Sequence, residues 1–319
     1  MAKRKLESVN IQDVVGEISI ILPVYKNQES ALRTLSALLA ITGPTRDLII
    51  IDSSPQPIEA TQFGQIGVRY RHLPNRLFAG NARNIGADQS NREWLYFLDS
   101  DCLPHPDFFV RLKKQILRHP DALTFNGLVY YENPTRSADF YLHILEFHEF
   151  SSQRKRHPRF LHSGNLVIKR SLFHQTGYFR TDIPMCTDFS FFAQMPQTVL
   201  VNSHYIPELS VTHQAHYVDP QKIGEKLEQM GYWRGFVESQ IPLSLQIHKK
   251  PIFRWLPQLL PLSFLAIIIW RNFRLNSSYK YRSLFAIHQL YKFSKIWAKG
   301  FWIGVNEGIS KTDPRADFK

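Results

Sequence analysis

Trp94-Leu95-Tyr96-Phe97-Leu98-Asp99-Ser100-Asp101 is an apolar run of buried-strand character that ends abruptly in two carboxylates. Acids just past a core strand stand where an open α/β sheet places its ligand chemistry. Two of them one residue apart suit a hard divalent cation, Mg2+ or Mn2+, held by oxygen ligands against a diphosphate. A surface turn is the alternative, since Asp and Ser are common turn residues. A three-residue pattern does not decide between the two by itself.

Around this run, apolar strand-like segments alternate with helical patterns, which predicts an α/β domain with a mostly parallel central sheet flanked by helices. Ile18 to Pro23 reads as a first strand, and Leu48 to Asp52 as a second that again ends in an acid. Ala31, Leu32, Leu35, Leu38 and Leu39 keep helical spacing between them. Val68 to Arg71 is a short third strand, Gly80 to Gln89 a helix, Glu93 to Leu98 the fourth strand and Pro106 to His119 a further helix. Asp121 to Tyr131 reads as one strand and Leu161 to Lys169 as another, with Gly164 and Asn165 at its centre, where a backbone can approach a ligand. Arg154 to Arg159 is a basic loop, and after about Pro220 the pattern turns helical.

A chain of 319 residues that is 44% apolar buries a large core. Its two cysteines, Cys102 and Cys186, make neither a disulfide framework nor a zinc spacing; they read as buried thiols of a cytoplasmic protein. The amino end lacks an apolar core of signal-peptide length. The net charge of +12 is uneven: no Asp or Glu stands between Glu238 and Glu307, where ten Lys and Arg residues fall among Trp, Phe, Leu and Ile. That mixture suits an anionic membrane surface. Nucleic-acid binding fits less well, because no nucleic-acid fold motif accompanies the charge.

Several strand-end signals converge. Pro23-Val24-Tyr25-Lys26-Asn27 leaves the first strand, Ile51-Asp52-Ser53-Ser54 the second, and Gly80-Asn81-Ala82-Arg83-Asn84-Ile85-Gly86 opens a helix. In this order, and with Asp99-Ser100-Asp101, they resemble the family 2 glycosyltransferases, whose catalytic domain has the nucleotide-sugar-binding GT-A fold. The resemblance extends through Ser163-Gly164-Asn165-Leu166 and Gly177-Tyr178-Phe179 to Thr187-Asp188, which stands at the family's Glu-Asp pair, and to Val211-Thr212-His213.

The resemblance implies a role for each position. Asp52 hydrogen-bonds the nucleobase and Tyr25 packs on it, with Pro23, Asn84 and Ser100 also lining the donor. Arg83 meets the diphosphate, as its charge and helix-start setting suggest independently. Asp99 binds ribose or assists the metal, Asp101 and His213 hold the metal, with His216 the nearest rival of His213, and Gly164 and Asn165 approach substrate. Asp188 takes the proton from an acceptor hydroxyl in a single inverting displacement. The expected activity is transfer of one sugar per encounter from a nucleotide-diphosphate donor to a lipid-linked or polysaccharide acceptor. Thr187 and Ser190 stand where acids are usual, which leaves a weak or inactive relative, binding a nucleotide sugar or a partner enzyme, as the alternative.

These signals divide the chain into a basic extension (1–16), a catalytic domain (17–220) and a helical region (221–319). Trp255 to Trp270 is apolar but broken by Pro257, Gln258, Pro261 and Ser263, short of a spanning helix. It reads as an interfacial segment, with Leu284 to Val305 beside it, on the inner face of the plasma membrane. A helical cover for the catalytic domain, an oligomer contact, or full spanning by one or two short helices is the alternative.

Overall fold

The computed structural model describes residues 16–43, 47–59, 67–131, 161–214, 220–241, 261–262, 265–266 and 284–312. The chain divides into two compact units, one of Met1–Glu132, Gln153–Thr181 and Met195–Ala215, the other of Asn133–Ser152, Asp182–Gln194 and His216–Lys319.

In the first unit, β1 (Ile18–Val24), β2 (Leu48–Asp52) and β4 (Trp94–Leu98) are buried at every residue. Continuous Ile, Leu and Phe is what strands covered on both faces require. With β3 (Val68–His72), β6 (Thr124–Asn126), β8 (Asn165–Lys169) and β9 (Ser203–Tyr205) they form a seven-stranded sheet of order β3-β2-β1-β4-β8-β6-β9. β1 runs parallel to both β2 and β4, with Val24 opposite Asp52, while β8 is antiparallel to β4, with Leu98 opposite Asn165. The order reverses beside β1, the kind of point where open sheets leave a crevice at their carboxyl ends.

Helices α1 (Gln28–Thr42), α2 (Ala79–Asp88) and α3 (Phe108–Arg118) connect these strands, and α4 (Arg170–Thr176) follows β8. Phe97 packs at 5.0 Å from Phe173 and 5.3 Å from Phe179, tying β4 to the chain around α4. Fully buried side chains of this kind contribute about 1.5–3 kcal/mol each relative to exposure.

A second, three-stranded sheet has the order β5-β10-β7, built from β5 (Cys102–Pro104), β7 (Val129–Tyr131) and β10 (Val211–His213). Two expected strands are therefore revised. Asp121 to Tyr131 breaks into β6 and β7, which join different sheets: the Asn126 carbonyl accepts Ile206 N–H at 2.8 Å and the Leu128 carbonyl accepts Val211 N–H at 2.9 Å, while Gly127 between them lies against the Leu209 carbonyl, where a side chain would collide. The strand expected from Leu161 begins only at Asn165, after a turn in which Asn165 N–H donates to the His162 carbonyl at 3.2 Å. The basic loop at 154–159 and most of 255–270 lie outside the described residues.

In the second unit, α5 (Thr187–Ala193) precedes two long helices, α7 (Pro220–Gln240) and α8 (Leu284–Thr312); the short α6 (Gln197–Leu200) belongs to the first. Gly231 abuts the Trp297 carbonyl, Gly235 that of Phe301, Gly300 that of Glu228 and Gly304 that of Tyr232. Rising numbers on one helix meet rising numbers on the other, so α7 and α8 run parallel. Small residues four apart on both let the backbones approach closely. Trp297, Phe301 and Val305 are buried along α8. Among the described residues, no helix is long and apolar enough to cross a membrane.

Candidate functional site

The acids after β4 are held in a pinned turn. Cys102 N–H donates to the Asp99 carbonyl at 3.0 Å, and Gln214 N–H to the Asp101 carbonyl at 2.8 Å. Thr34 of α1 donates to the Ser100 carbonyl at 2.9 Å and receives Gln214 Nε2 at 3.2 Å. Two elements distant in sequence thus fix the backbone that carries both carboxylates, and Ser100 contributes its carbonyl from a buried position.

Asp99 is the centre of the charge arrangement. Arg83 of α2, itself buried, forms an ion pair with the half-buried Asp99 carboxylate. Burial alone would raise this carboxyl, but the Arg83 guanidinium, then His162 and His213, outweigh it and hold the group below the usual carboxylate range. Gly164 explains how the site closes: its N–H donates to His162 Nδ1 at 3.0 Å and its carbonyl accepts Asp99 N–H at 3.2 Å. A Cβ at Gly164 would meet both Asp99 Oδ2 and His162 Cε1, so a side chain there would have to displace one of these two groups.

On the other side of the turn, His213 Nε2 lies 3.5 Å from Asp101 Oδ2. The donor atoms of Asp101, Cys102 and His213 all lie within 4.8 Å of one another. A carboxylate, a thiol and an imidazole make a donor set that a divalent metal fits. His216 lies outside the described residues.

The strand ends beside it are equally ordered. Asp52 is fully buried and accepts Ser54 N–H at 2.9 Å, Ile58 N–H at 3.2 Å and the Tyr70 hydroxyl at 2.8 Å. Burial, and the carboxylate it donates to, push the Tyr70 hydroxyl above its ordinary range. Pro23 sits inside β1 opposite Ile51. Beyond it Lys26 takes a left-handed φ of 55° and its N–H donates to Ser54 Oγ at 2.8 Å, latching the two strand-end loops together. Tyr25 is half-buried and carries the Arg76 guanidinium 4.9 Å from its ring and the Lys26 ammonium 5.4 Å away.

Two asparagines from the sequence motifs are occupied by the fold. Asn84 bridges Phe179, donating to its carbonyl at 2.8 Å and accepting its N–H at 3.0 Å. Asn165 accepts the Tyr96 hydroxyl at 3.2 Å and donates to the Leu209 carbonyl at 2.9 Å. Sequence reasoning passed over Asn126, which accepts His162 N–H at 3.0 Å, and His162 itself, and took Cys102 for a buried thiol without a site role. The one available signal was their position, Cys102 following the acids directly and His162 preceding Gly164 by two residues.

In the second unit, Asp188 occupies the first turn of α5, where its Oδ1 accepts Phe189 N–H at 2.8 Å. Cys186, just before it, adopts a left-handed φ of 60°, and Thr187 and Ser190 are buried. The Arg234 guanidinium of α7 stacks 3.6 Å from the Phe189 ring.

Comparison with known proteins gives the family and the fold. The family model described as glycosyl transferase family 2 matches residues 19–177. The glycosyltransferase AglE of Haloferax volcanii is 30% identical over 30% of this chain and 33% of its own length. The poly(ribitol-phosphate) β-N-acetylglucosaminyltransferase TarP of Staphylococcus aureus is 35% identical over 28% of this chain and 29% of its own. The chain thus spans about a third of each of these curated relatives. Among solved structures, the mannosyltransferase PcManGT of Pyrobaculum calidifontis, in complex with GDP-Man and Mn2+, superposes with a TM-score of 0.56 at 15% identity, covering 98% of this chain and 93% of that one. That likeness is one of fold: the mixed α/β sheet expected from the strand pattern, in the GT-A form that the resemblance implied.

Proposed function

The chain belongs to glycosyl transferase family 2 through residues 19–177, and from that premise we propose that it is an inverting glycosyltransferase that moves a sugar from a nucleotide-diphosphate donor to a lipid-linked or polysaccharide acceptor. The observation that carries the reading is the Asp99 cluster: a carboxylate held ionised by Arg83 and two histidines beside the Asp101–His213 pair, at the carboxyl end of the sheet. Nucleotide-sugar complexes are known for proteins of this fold, PcManGT with GDP-Man and Mn2+ among them.

The residues divide the work. The latched loops carrying Tyr25 and Asp52 form the nucleoside wall, with Asp52 shaping the loop from Ser54 to Ile58 through its three hydrogen bonds. Arg83 turns from Asp99 alone to shared contact with the diphosphate, a role its planar fork suits. Asp101 and His213 would hold Mg2+ or Mn2+, which would supply positive charge to the departing diphosphate. Asp188 accepts the proton of the acceptor hydroxyl as that oxygen attacks the anomeric carbon, and one displacement inverts the configuration. Residues 17–220 serve as the catalytic domain, and the region from 221 rests on the inner face of the membrane through its acid-free, aromatic-rich stretch.

The test is a thermal-shift panel of nucleotide diphosphates and nucleotide sugars with and without Mn2+, followed by donor hydrolysis and transfer assays. A specific donor stabilises the fold by mass action, by about 2.7 kcal/mol at a hundred times its dissociation constant. If no nucleotide stabilises the protein in any metal, the donor-site reading fails.

A further inference from the structure

We propose that Cys102 adds a sulfur donor to the Asp101–His213 site, so that the site takes a borderline or soft divalent cation such as Zn2+, Cd2+ or Co2+ more tightly than Mg2+ or Mn2+. The inference rests on the metal reading above and extends it to a selectivity built into this chain.

The placement comes from strand pairing. β5 and β10 are antiparallel with Cys102 directly opposite His213. Directly opposed residues project to the same face, with Cβ atoms about 4.5–5.5 Å apart. Asp101 enters from the preceding position, its carbonyl held by Gln214 N–H at 2.8 Å and its carboxylate 3.5 Å from His213 Nε2. Three donor atoms of three kinds therefore share a span of 4.8 Å. Bonds of about 2.0–2.3 Å to one metal draw such atoms to about 3.5 Å from one another. The Asp101 to His213 distance already meets this at 3.5 Å, so the closure a shared ion requires is that of the Cys102 sulfur toward the pair.

Oxygen ligands alone favour Mg2+ and Mn2+, whereas imidazole and thiolate shift preference toward Zn2+ and its softer neighbours. Coordination balances simply: the Cys102 thiol loses its proton to solvent as the metal–sulfur bond forms, so one proton is released per ion bound. The consequence for the proposed reaction is inhibition by trace soft cations that displace the working ion.

Cobalt titration of the full chain tests this without an activity assay, because thiolate ligation gives an intense ligand-to-metal charge-transfer absorption. We expect that band in the wild type and in Cys186→Ser, the other cysteine serving as control, and its loss in Cys102→Ser. Calorimetry should show Cd2+ affinity falling by about tenfold or more in Cys102→Ser, with Mn2+ affinity unchanged. The wild-type spectrum needs no variant to fold: cobalt that fails to bind, or binds without the band, overturns the proposal. So does a band that survives in Cys102→Ser, or equal Cd2+ affinities. Mn2+-dependent donor binding without the band defeats only this inference. The band without any nucleotide binding defeats the donor-site reading and leaves the sulfur ligand standing.

Discussion

Arg83 of α2 closes an ion pair with Asp99 at the end of β4, and its guanidinium is the largest of the neighbouring charges that hold that carboxyl below its ordinary range. Arg83 is buried and Asp99 only half so, which makes the pair less screened than a surface bridge. Arg83→Ala removes the guanidinium proposed to meet the diphosphate and leaves Asp99 with its histidines. Charge-assisted hydrogen bonds contribute about 1.5–3 kcal/mol, so nucleotide affinity should fall by about tenfold to a hundredfold. Arg83→Lys should recover part of it, because the charge returns but the fork does not. Calorimetry with the nucleotide diphosphate selected in the thermal-shift panel measures both; undiminished affinity in Arg83→Ala would remove Arg83 from the donor site.

The parallel helix pair gives a second prediction, on stability. Gly304→Ala improves intrinsic helix propensity by about 1 kcal/mol, yet the added methyl meets the Tyr232 carbonyl and forces α7 and α8 apart. Overpacking of this kind costs about 1–3 kcal/mol, so steric crowding wins and the variant should be less stable. Gly304→Leu should cost more. Urea unfolding followed by far-ultraviolet circular dichroism decides the sign, and a stabilised Gly304→Ala would contradict the close packing.

Tyr232 links the same two helices by donating to Glu307 at 2.5 Å. Burial, then this hydrogen bond and the Glu307 charge, push the Tyr232 hydroxyl up to about 12 from an ordinary 10.0. The sign follows from linkage: the folded state keeps a proton that the unfolded chain releases. The contribution is therefore complete below pH 10 and is lost as pH rises from 10 toward 12. Comparing Tyr232→Phe with the wild type isolates it from the lysines that titrate nearby. The difference in urea midpoint between the two should shrink across that interval, and a constant difference would exclude the linkage.

Much of this architecture was legible in the chain because strands covered on both faces must be continuously apolar, as Ile18 to Leu22 and Trp94 to Leu98 are. The motif acids were visible for the same reason: a charged residue ending such a run marks the sheet edge. What escaped depends on distant encounters. Nothing near Gly127 announces the Leu209 carbonyl that lies against it where β6 gives way to β7. β5 and β10 are three residues each, too short to show a period, so the pairing that sets Cys102 against His213 was invisible and the cysteine read as an inert thiol. Asp52 looked like an open acceptor, and the fold surrounds it with three donors, one of them Tyr70 of the neighbouring strand. The four-residue spacing of Gly300, Gly304 and Gly308 was present in the sequence, but its meaning needs the partner stripe of Gly231 and Gly235.

Asp188 carries the sharpest prediction about chemistry. Its Oδ1 already accepts Phe189 N–H at the start of α5, so truncation to alanine would remove a helix-opening hydrogen bond together with the proposed base. Asp188→Asn is the cleaner change, because the amide keeps an acceptor oxygen and the volume but takes up no proton at neutral pH. General-base catalysis by a positioned side chain contributes about 10²–10⁴-fold. The turnover number for sugar transfer should fall within that range, while thermal stability and donor affinity stay at wild-type values. Loss of rate with intact donor binding separates a base from a residue that merely shapes the fold, which would move both. Transfer by Asp188→Asn at the wild-type rate would instead assign the proton to another group and favour a role for Asp188 in opening the helix alone.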